Sequence, residues 1–211
     1  AMTCFTNPGR KVLSALGLLL SAIVLGAVLA PGPVRAYSLR VPQDYPTIQA
    51  AINAARDGDV VLVSPGTYRG ALTIAGKRVT LASTFHTTGD ASRIDGTVID
   101  GEGANVITIA STAAGSQIIG FTIQNGTDGI ALRTQANIRN NKVRYTFDGI
   151  DVTNGGGLIR DNVFENNVDD GIDFDKSSSG TVENNIISNN GNDGIEIRLH
   201  DHTGPRLTIV I

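Results

Sequence analysis

The chain has 211 residues, with 20 Asp and Glu against 17 Lys and Arg, 25 glycines, no tryptophan and one cysteine. An acidic balance repels nucleic-acid phosphates and sets DNA and RNA aside as partners. The lone cysteine, Cys4, lies ahead of an apolar run, so the folded part carries no disulfide and must hold together by burial and hydrogen bonding.

Ala1 precedes Met2, as a cloning scar would. Arg10 and Lys11 form a basic start, and Val12 to Ala30 follows without a charge. Pro31-Gly32-Pro33 ends this run, and Val34-Arg35-Ala36 offers small residues at cleavage spacing. This layout predicts a signal peptide over residues 1–36, and hence a secreted, periplasmic or cell-surface protein. An uncleaved membrane anchor is the alternative, because the run is near the length needed to cross a bilayer. The Pro-Gly-Pro break and the Val-x-Ala site favour cleavage. Removing residues 1–36 takes three basic residues and no acidic one, so the remainder carries 14 minus 20, or −6.

Residues 37–59 read as an N-terminal segment with a capping helix. Ile48, Ala51, Ile52 and Ala55 have helical spacing, after Pro46-Thr47 and before Gly58. A short amphipathic helix makes a lid for the open end of a solenoid, whose core and backbone would otherwise face water. Val60 to Val63 reads as a buried strand stopped by Ser64-Pro65-Gly66.

From there to the end the chain repeats. Asp-Gly-Ile begins at Asp128, Asp148, Asp170 and Asp193, at intervals of 20, 22 and 23 residues. A second marker keeps step: Asn140-Asn141, Asp161-Asn162 and Asn184-Asn185, with Gly120-Phe121 one coil earlier. Thirteen of the 16 asparagines fall between Asn125 and Asn192. A 20–23 residue period filled with turn residues predicts an all-β solenoid of short strands over residues 60–211. In Ile172-Asp173-Phe174-Asp175 the alternation places Ile172 and Phe174 inward and the aspartates outward. Ile150 with Val152, and Ile195 with Ile197, repeat it. Equivalent asparagines are expected to bond up the stack as a ladder. Leu207-Thr208-Ile209-Val210-Ile211 reads as the start of a further coil, from which the chain is expected to continue.

The run Val41-Pro42-Gln43-Asp44-Tyr45-Pro46-Thr47-Ile48-Gln49-Ala50-Ala51-Ile52, followed by Gly58-Asp59-Val60-Val61-Leu62-Val63-Ser64-Pro65-Gly66-Thr67-Tyr68, resembles the opening of the pectin-lyase-like superfamily. It is similar to the branch of carbohydrate-binding and sugar-hydrolysing repeats. The resemblance implies a right-handed parallel β-helix and implies polysaccharide as partner. It does not single out an activity, since that fold hosts lyases, hydrolases, esterases, adhesins and non-catalytic proteins.

Asp169-Asp170-Gly171-Ile172-Asp173-Phe174-Asp175 is the densest acidic cluster. Stacking would set Asp148 below Asp170, Asp151 below Asp173, and Asp193 and Glu196 above. Converging carboxylates repel unless a cation binds or some stay protonated. Ca²⁺ suits such a set, because it accepts six to eight oxygen ligands in loose geometry. The alternative is structural: an Asp before a turn glycine bonds the local backbone, and an outward Asp keeps a face soluble. Asp169, Asp170 and Asp173 also resemble the Asp-Asp-Gly-x-Asp calcium motif of family 9 polysaccharide lyases. That resemblance implies Asp169, Asp170 and Asp173 as calcium ligands, with Asp148 as a fourth, and β-elimination on uronic-acid polymers. The family's lysine base has no match here; Lys176 is near but differently placed. Asp151, Asp175, Glu196 and Arg198 complete the candidate substrate face. Asp173 and Asp175 could alternatively serve as the acid and base of an inverting glycoside hydrolase. The Gly-His-Gly and Arg-Ile-Lys motifs of polygalacturonases are missing. His200 and His202 around Asp201 could bind a transition metal, or form a polar turn. Three classes stay open: polysaccharide binding or lysis, glycoside hydrolysis, and a non-catalytic surface or periplasmic β-helix of structural, adhesive or copper-maturation type. A monomer is expected.

Overall fold

A computed structural model describes residues 36–199 and 209–211. The apolar run Val12 to Ala30, most of the expected signal peptide, and His200, Asp201 and His202 lie outside the described residues. No helix among the described residues is long and apolar enough to cross a membrane.

The chain coils through three parallel faces. The first stacks Ser38–Val41, Val60–Val63, Thr80–Ser83, Gln117–Ile119, Gln135–Arg139, Gly156–Arg160, Ser179–Glu183 and Ile209–Val210 in that order. The second stacks Gly66–Arg69, Thr97–Asp100, the opening of Thr122–Leu132, the opening of Lys142–Thr153, Val163–Glu165 and Ile186–Ser188. The third stacks Leu72–Ile74, Ile107–Ile109, the ends of those two long strands, Ile172–Asp175 and Ile195–Arg198. Every pairing is parallel, as a repeat of one coil upon the next requires.

Alternation decides what each strand buries. Ile107, Ile130, Ile150, Ile172 and Ile195 are register partners, and the first four are fully buried. Phe121, Phe164 and Phe174 are the largest fully buried side chains. Each such side chain contributes roughly 1.5–3 kcal/mol relative to exposure. Ile197, expected inward beside Phe174, is instead exposed.

The predicted cap is present. The helix Ile48–Ala54 starts at Thr47, whose side chain accepts a hydrogen bond from the Ala50 amide at 3.1 Å. Ile48, Ala51, Ile52 and Ala55 are all buried. Strand Ser38–Val41 pairs with Val60–Val63, so the first face begins ahead of this helix. Two short helices, Phe85–Thr88 and Ser92–Gly96, form an insertion that the repeat did not announce. Lys142 Nζ holds it through Asp95 Oδ1 at 2.5 Å, and Thr122 Oγ1 donates to the Ile94 carbonyl at 3.0 Å.

The second sequence marker is a turn with a ladder behind it. Asn140, Asp161 and Asn184 take φ of 56°, 55° and 56°, over Gly120 at 80°. This left-handed backbone favours Asn, Asp and Gly. The next residue in each case points inward. Asn141 Nδ2 donates to Asn162 Oδ1 at 3.1 Å, and Asn162 Nδ2 donates to Asn185 Oδ1 at 3.0 Å. A second, unforeseen ladder runs through Thr146, Asn167 and Asn190 at the turn between the second and third faces.

Candidate acidic site on the third face

The Asp-Gly-Ile repeat builds the site and links its coils. Asp148 Oδ1 accepts the Asp170 amide at 3.1 Å, and Asp170 Oδ1 accepts the Asp193 amide at 2.8 Å. Each aspartate thus holds the backbone of the next coil, rather than its own turn. The glycine follows because a Cβ on Gly149 would lie 2.3 Å from the Gly171 carbonyl oxygen, and one on Gly171 would lie 2.6 Å from that of Gly194. Only a residue without a Cβ lets the coils approach this closely. The isoleucine then turns inward to the core.

Two rows of side chains leave the third face outward. One contains Ala131, Asp151, Asp173 and Glu196 as successive register partners; the other contains Thr153, Asp175 and Arg198. The expected stacking of Asp148, Asp170 and Asp193, and of Asp151, Asp173 and Glu196, is therefore present.

The four predicted metal ligands do not make one group. Asp148, Asp169 and Asp170 form one triad, and Asp170, Asp173 and Glu196 another; within each, one carboxylate oxygen per residue lies within 4.8 Å of the others. Asp170 is common to both. Asp148 and Asp173 belong to different triads because Asp148 turns toward the coil junction while Asp173 projects from the strand.

Asp170 is fully buried, and Asp173 is only 3% exposed although it points away from the core. The expectation that Asp173 faces solvent is corrected by Arg198, which folds back across the strand beneath it. Arg198 Nη2 lies 2.5 Å from Asp173 Oδ2, Nε 3.2 Å from Asp175 Oδ1, and Nη1 2.5 Å from Glu196 Oε2. One guanidinium thus ties together Asp175 and Glu196, two of the three predicted substrate-face carboxylates, and the predicted metal ligand Asp173. Asp151, the third carboxylate of that face, is held by Arg133, a residue the repeat did not flag. Arg133 Nη2 lies 2.6 Å from Asp151 Oδ2, and Nη1 donates to the Asp151 carbonyl at 3.0 Å. Arg133 directly follows Leu132, which pairs with Val152, so it continues the outward row of Thr153, Asp175 and Arg198.

The two arginines do not balance the site. Asp170 Oδ2 and Asp173 Oδ1 are buried with no hydrogen-bond partner among the described residues. Burial, reinforced by the charge of Asp175, pushes the Asp173 carboxyl up to about 7. Burial likewise raises Asp148 to about 6, against the Asp170 amide that favours its ionised form. Glu196 is raised by desolvation and by the Asp170 carboxyl it faces, and Asp128 by burial and then by Asp151. Facing carboxylates of this kind need a proton or a cation between them. Two oxygens each about 2.3–2.6 Å from one calcium ion can stand no more than about 5 Å apart, and both triads meet that limit.

Residues 89–209, more than half of the chain, match the family model of the right-handed β-helix region. The chain belongs to this right-handed β-helix family. Among curated proteins none matches it. This β-helix is similar in structure to the crystal structure of the Agl-KA catalytic domain, with a TM-score of 0.58 and 19% sequence identity. The likeness covers 85% of the β-helix chain and 37% of the other, so the chain spans little more than a third of that structure. At this identity the likeness establishes a shared fold.

Proposed function

We propose that this protein is an exported β-helix that binds and processes polysaccharide on its third face, with a calcium ion held by the Asp170-centred acidic cluster. The observation that carries the reading is the pair of buried, unpartnered oxygens, Asp170 Oδ2 and Asp173 Oδ1, within a triad completed by Glu196. Hard carboxylate oxygens in a loose set suit calcium better than a transition metal. Asp170, Asp173 and Glu196 would be the ligands, with Asp148 and Asp169 meeting Asp170 only in the other triad. When bound, calcium would supply Lewis acidity to a carboxylate-bearing sugar, which favours lyase chemistry on uronic-acid polymers. Arg198 and Arg133 hold the outer carboxylates in place. The fold shared with a catalytic domain and the apolar run Val12 to Ala30 are consistent with an exported enzyme.

One observation favours a second reading. A carboxyl raised to about 7 is matched to general acid or base work without a metal, and Asp173 shares one guanidinium with Asp175. This would make the pair the acid and base of a glycoside hydrolase.

Thermal unfolding with calcium and with chelator, joined to a screen of polygalacturonate and alginate for unsaturated products, separates the two. Calcium at millimolar concentration should raise Tm by preferential binding to the folded chain, and Asp173→Asn should abolish the rise. No binding at that concentration, or undiminished binding by Asp173→Asn, would reject the calcium site. Saturated products formed in chelator would establish the hydrolase reading.

A further inference from the structure

The turn between the second and third faces carries side chains that neither the core nor the acidic cluster uses. Tyr145 is 51% exposed and Phe147 47% exposed, two residues apart in Lys142–Thr153 and directly ahead of Asp148. Val168 on the next coil, whose amide donates to the Thr146 carbonyl at 2.8 Å, is also exposed. The aromatics Phe121, Phe164 and Phe174 are fully buried, whereas Tyr145 and Phe147, with Tyr37 at the start of the described fold, are exposed.

Tyr145 is set apart by its backbone. It has φ of 56°, and the same turn position in other coils is held by Asn125 at 58°, Asn166 at 57° and Asn189 at 55°. Asparagine tolerates this left-handed region, whereas a tyrosine there is strained. The turn does not need the ring, and its stability is lower for having it. Strain held at a surface position points to a use for the side chain.

The surroundings indicate what the ring meets. The Arg144 guanidinium carbon lies 5.2 Å from the centre of the Tyr145 ring. Arg144 is itself fixed by Nε and Nη2, which donate to Gln124 Oε1 at 3.3 and 3.2 Å. The patch therefore combines two exposed aromatic rings with a positioned cation over one face of the Tyr145 ring, which leaves its other face for a ligand. Acidic residues adjoin it, since Asp148 directly follows Phe147 and the Asp169 amide donates to the Phe147 carbonyl at 2.9 Å. A pyranose ring carries C–H groups on its face and hydroxyls around its rim, and a uronic acid adds one carboxylate. That chemistry matches rings, acceptors and cation together.

We infer that Tyr145 and Phe147 form a stacking subsite for an acidic sugar unit of the polysaccharide, with Arg144 pairing the sugar carboxylate. The inference rests on the polysaccharide reading above and adds the place and class of one contacted unit. Neither residue takes part in chemistry; the subsite positions the chain beside the acidic cluster.

The coil below supplies the test variant. Asn125 and Thr127 occupy the positions of Tyr145 and Phe147, since Thr146 pairs with Gly126 and Asp148 with Asp128. Tyr145→Asn with Phe147→Thr should therefore fold, and its Tm should equal or exceed that of the parent. Mobility is read in native gels cast with polygalacturonate, alginate or neutral dextran, each with calcium and with chelator. The parent should be retarded by a uronate polymer and not by dextran, and the double variant should bind at least about ten-fold more weakly. Arg144→Gln should weaken uronate binding alone. Retardation of the double variant equal to the parent would overturn the subsite and leave the polysaccharide reading standing. Equal retardation by dextran would overturn the acidic-sugar assignment. A parent that no polymer retards would overturn both.

Discussion

Replacing Asn162 by alanine tests the internal ladder on which the coil stack depends. The Asn162 side chain is buried and fully engaged in hydrogen bonds. Its Nδ2 donates to the Ile138 and Arg160 carbonyls, both at 2.9 Å, and to Asn185 Oδ1 at 3.0 Å. Its Oδ1 accepts the Asn141 amide at 3.0 Å and Asn141 Nδ2 at 3.1 Å. A net 0.5–1.5 kcal/mol per bond, reduced because donors and acceptors are shared, gives about 3–5 kcal/mol lost in Asn162→Ala. Asn162→Asp keeps the size and the acceptor but turns a carboxylate toward two carbonyls. It should be less stable than the alanine variant at pH 7, and the difference should shrink toward pH 4 as the carboxyl protonates. Asn185→Ala, at a half-buried position, should cost only about 1–2 kcal/mol. Urea unfolding read as midpoint shifts at unchanged slope measures all three. An Asn162→Ala variant within about 1 kcal/mol of the parent would refute the ladder as a main source of coil-to-coil stability, as would an equal cost at Asn185.

The Asp173 carboxyl yields a pH prediction in calcium-free buffer. Its folded value of about 7 stands above the ordinary 3.8, so the stability it supplies is complete below about pH 4 and is lost as pH rises through 7. At 1.36 kcal/mol per pH unit this shift sets an upper bound of about 4 kcal/mol on the difference. Tm in chelator should therefore fall between pH 4 and pH 7.5, and Asp173→Asn should flatten that slope; an unchanged slope would mean that Asp173 ionises normally. Gly149→Ala would drive a Cβ to within 2.3 Å of the Gly171 oxygen and 2.8 Å of Phe164 Cδ1, and should cost more than about 2 kcal/mol. Gly194→Ala meets only Ile187 Cγ2 at an ordinary 3.5 Å, and should cost less than about 1 kcal/mol by the same urea measurement.

Fold and core were legible because their causes are local and repeat. The 20–23 residue spacing of Asp-Gly-Ile, the alternation in Ile172-Asp173-Phe174-Asp175 and the helical spacing of Ile48, Ala51 and Ile52 each depend on neighbours a few residues away, and stacking multiplies them. The asparagine ladder was legible for the same reason, since Asn141, Asn162 and Asn185 recur at coil period. The insertion at Phe85–Thr88 and Ser92–Gly96 breaks the period and so left no signal.

The candidate site was legible only as a set of acidic residues on one face. Which of them meet depends on side-chain direction: Asp148 holds the Asp170 amide and groups with Asp169, while Asp173 groups with Glu196. The burial of Asp173 depends on a long side chain, Arg198, folding back across a neighbouring coil, and the pairing of Asp151 depends on Arg133 doing the same. Side-chain direction of this kind is set by contacts between coils some 20 residues apart. The sequence therefore determined the solenoid, its inward columns and the acidic face. Only the tertiary structure decided which carboxylates converge and which lose their water, because those outcomes follow from the register between coils rather than from the pattern within one.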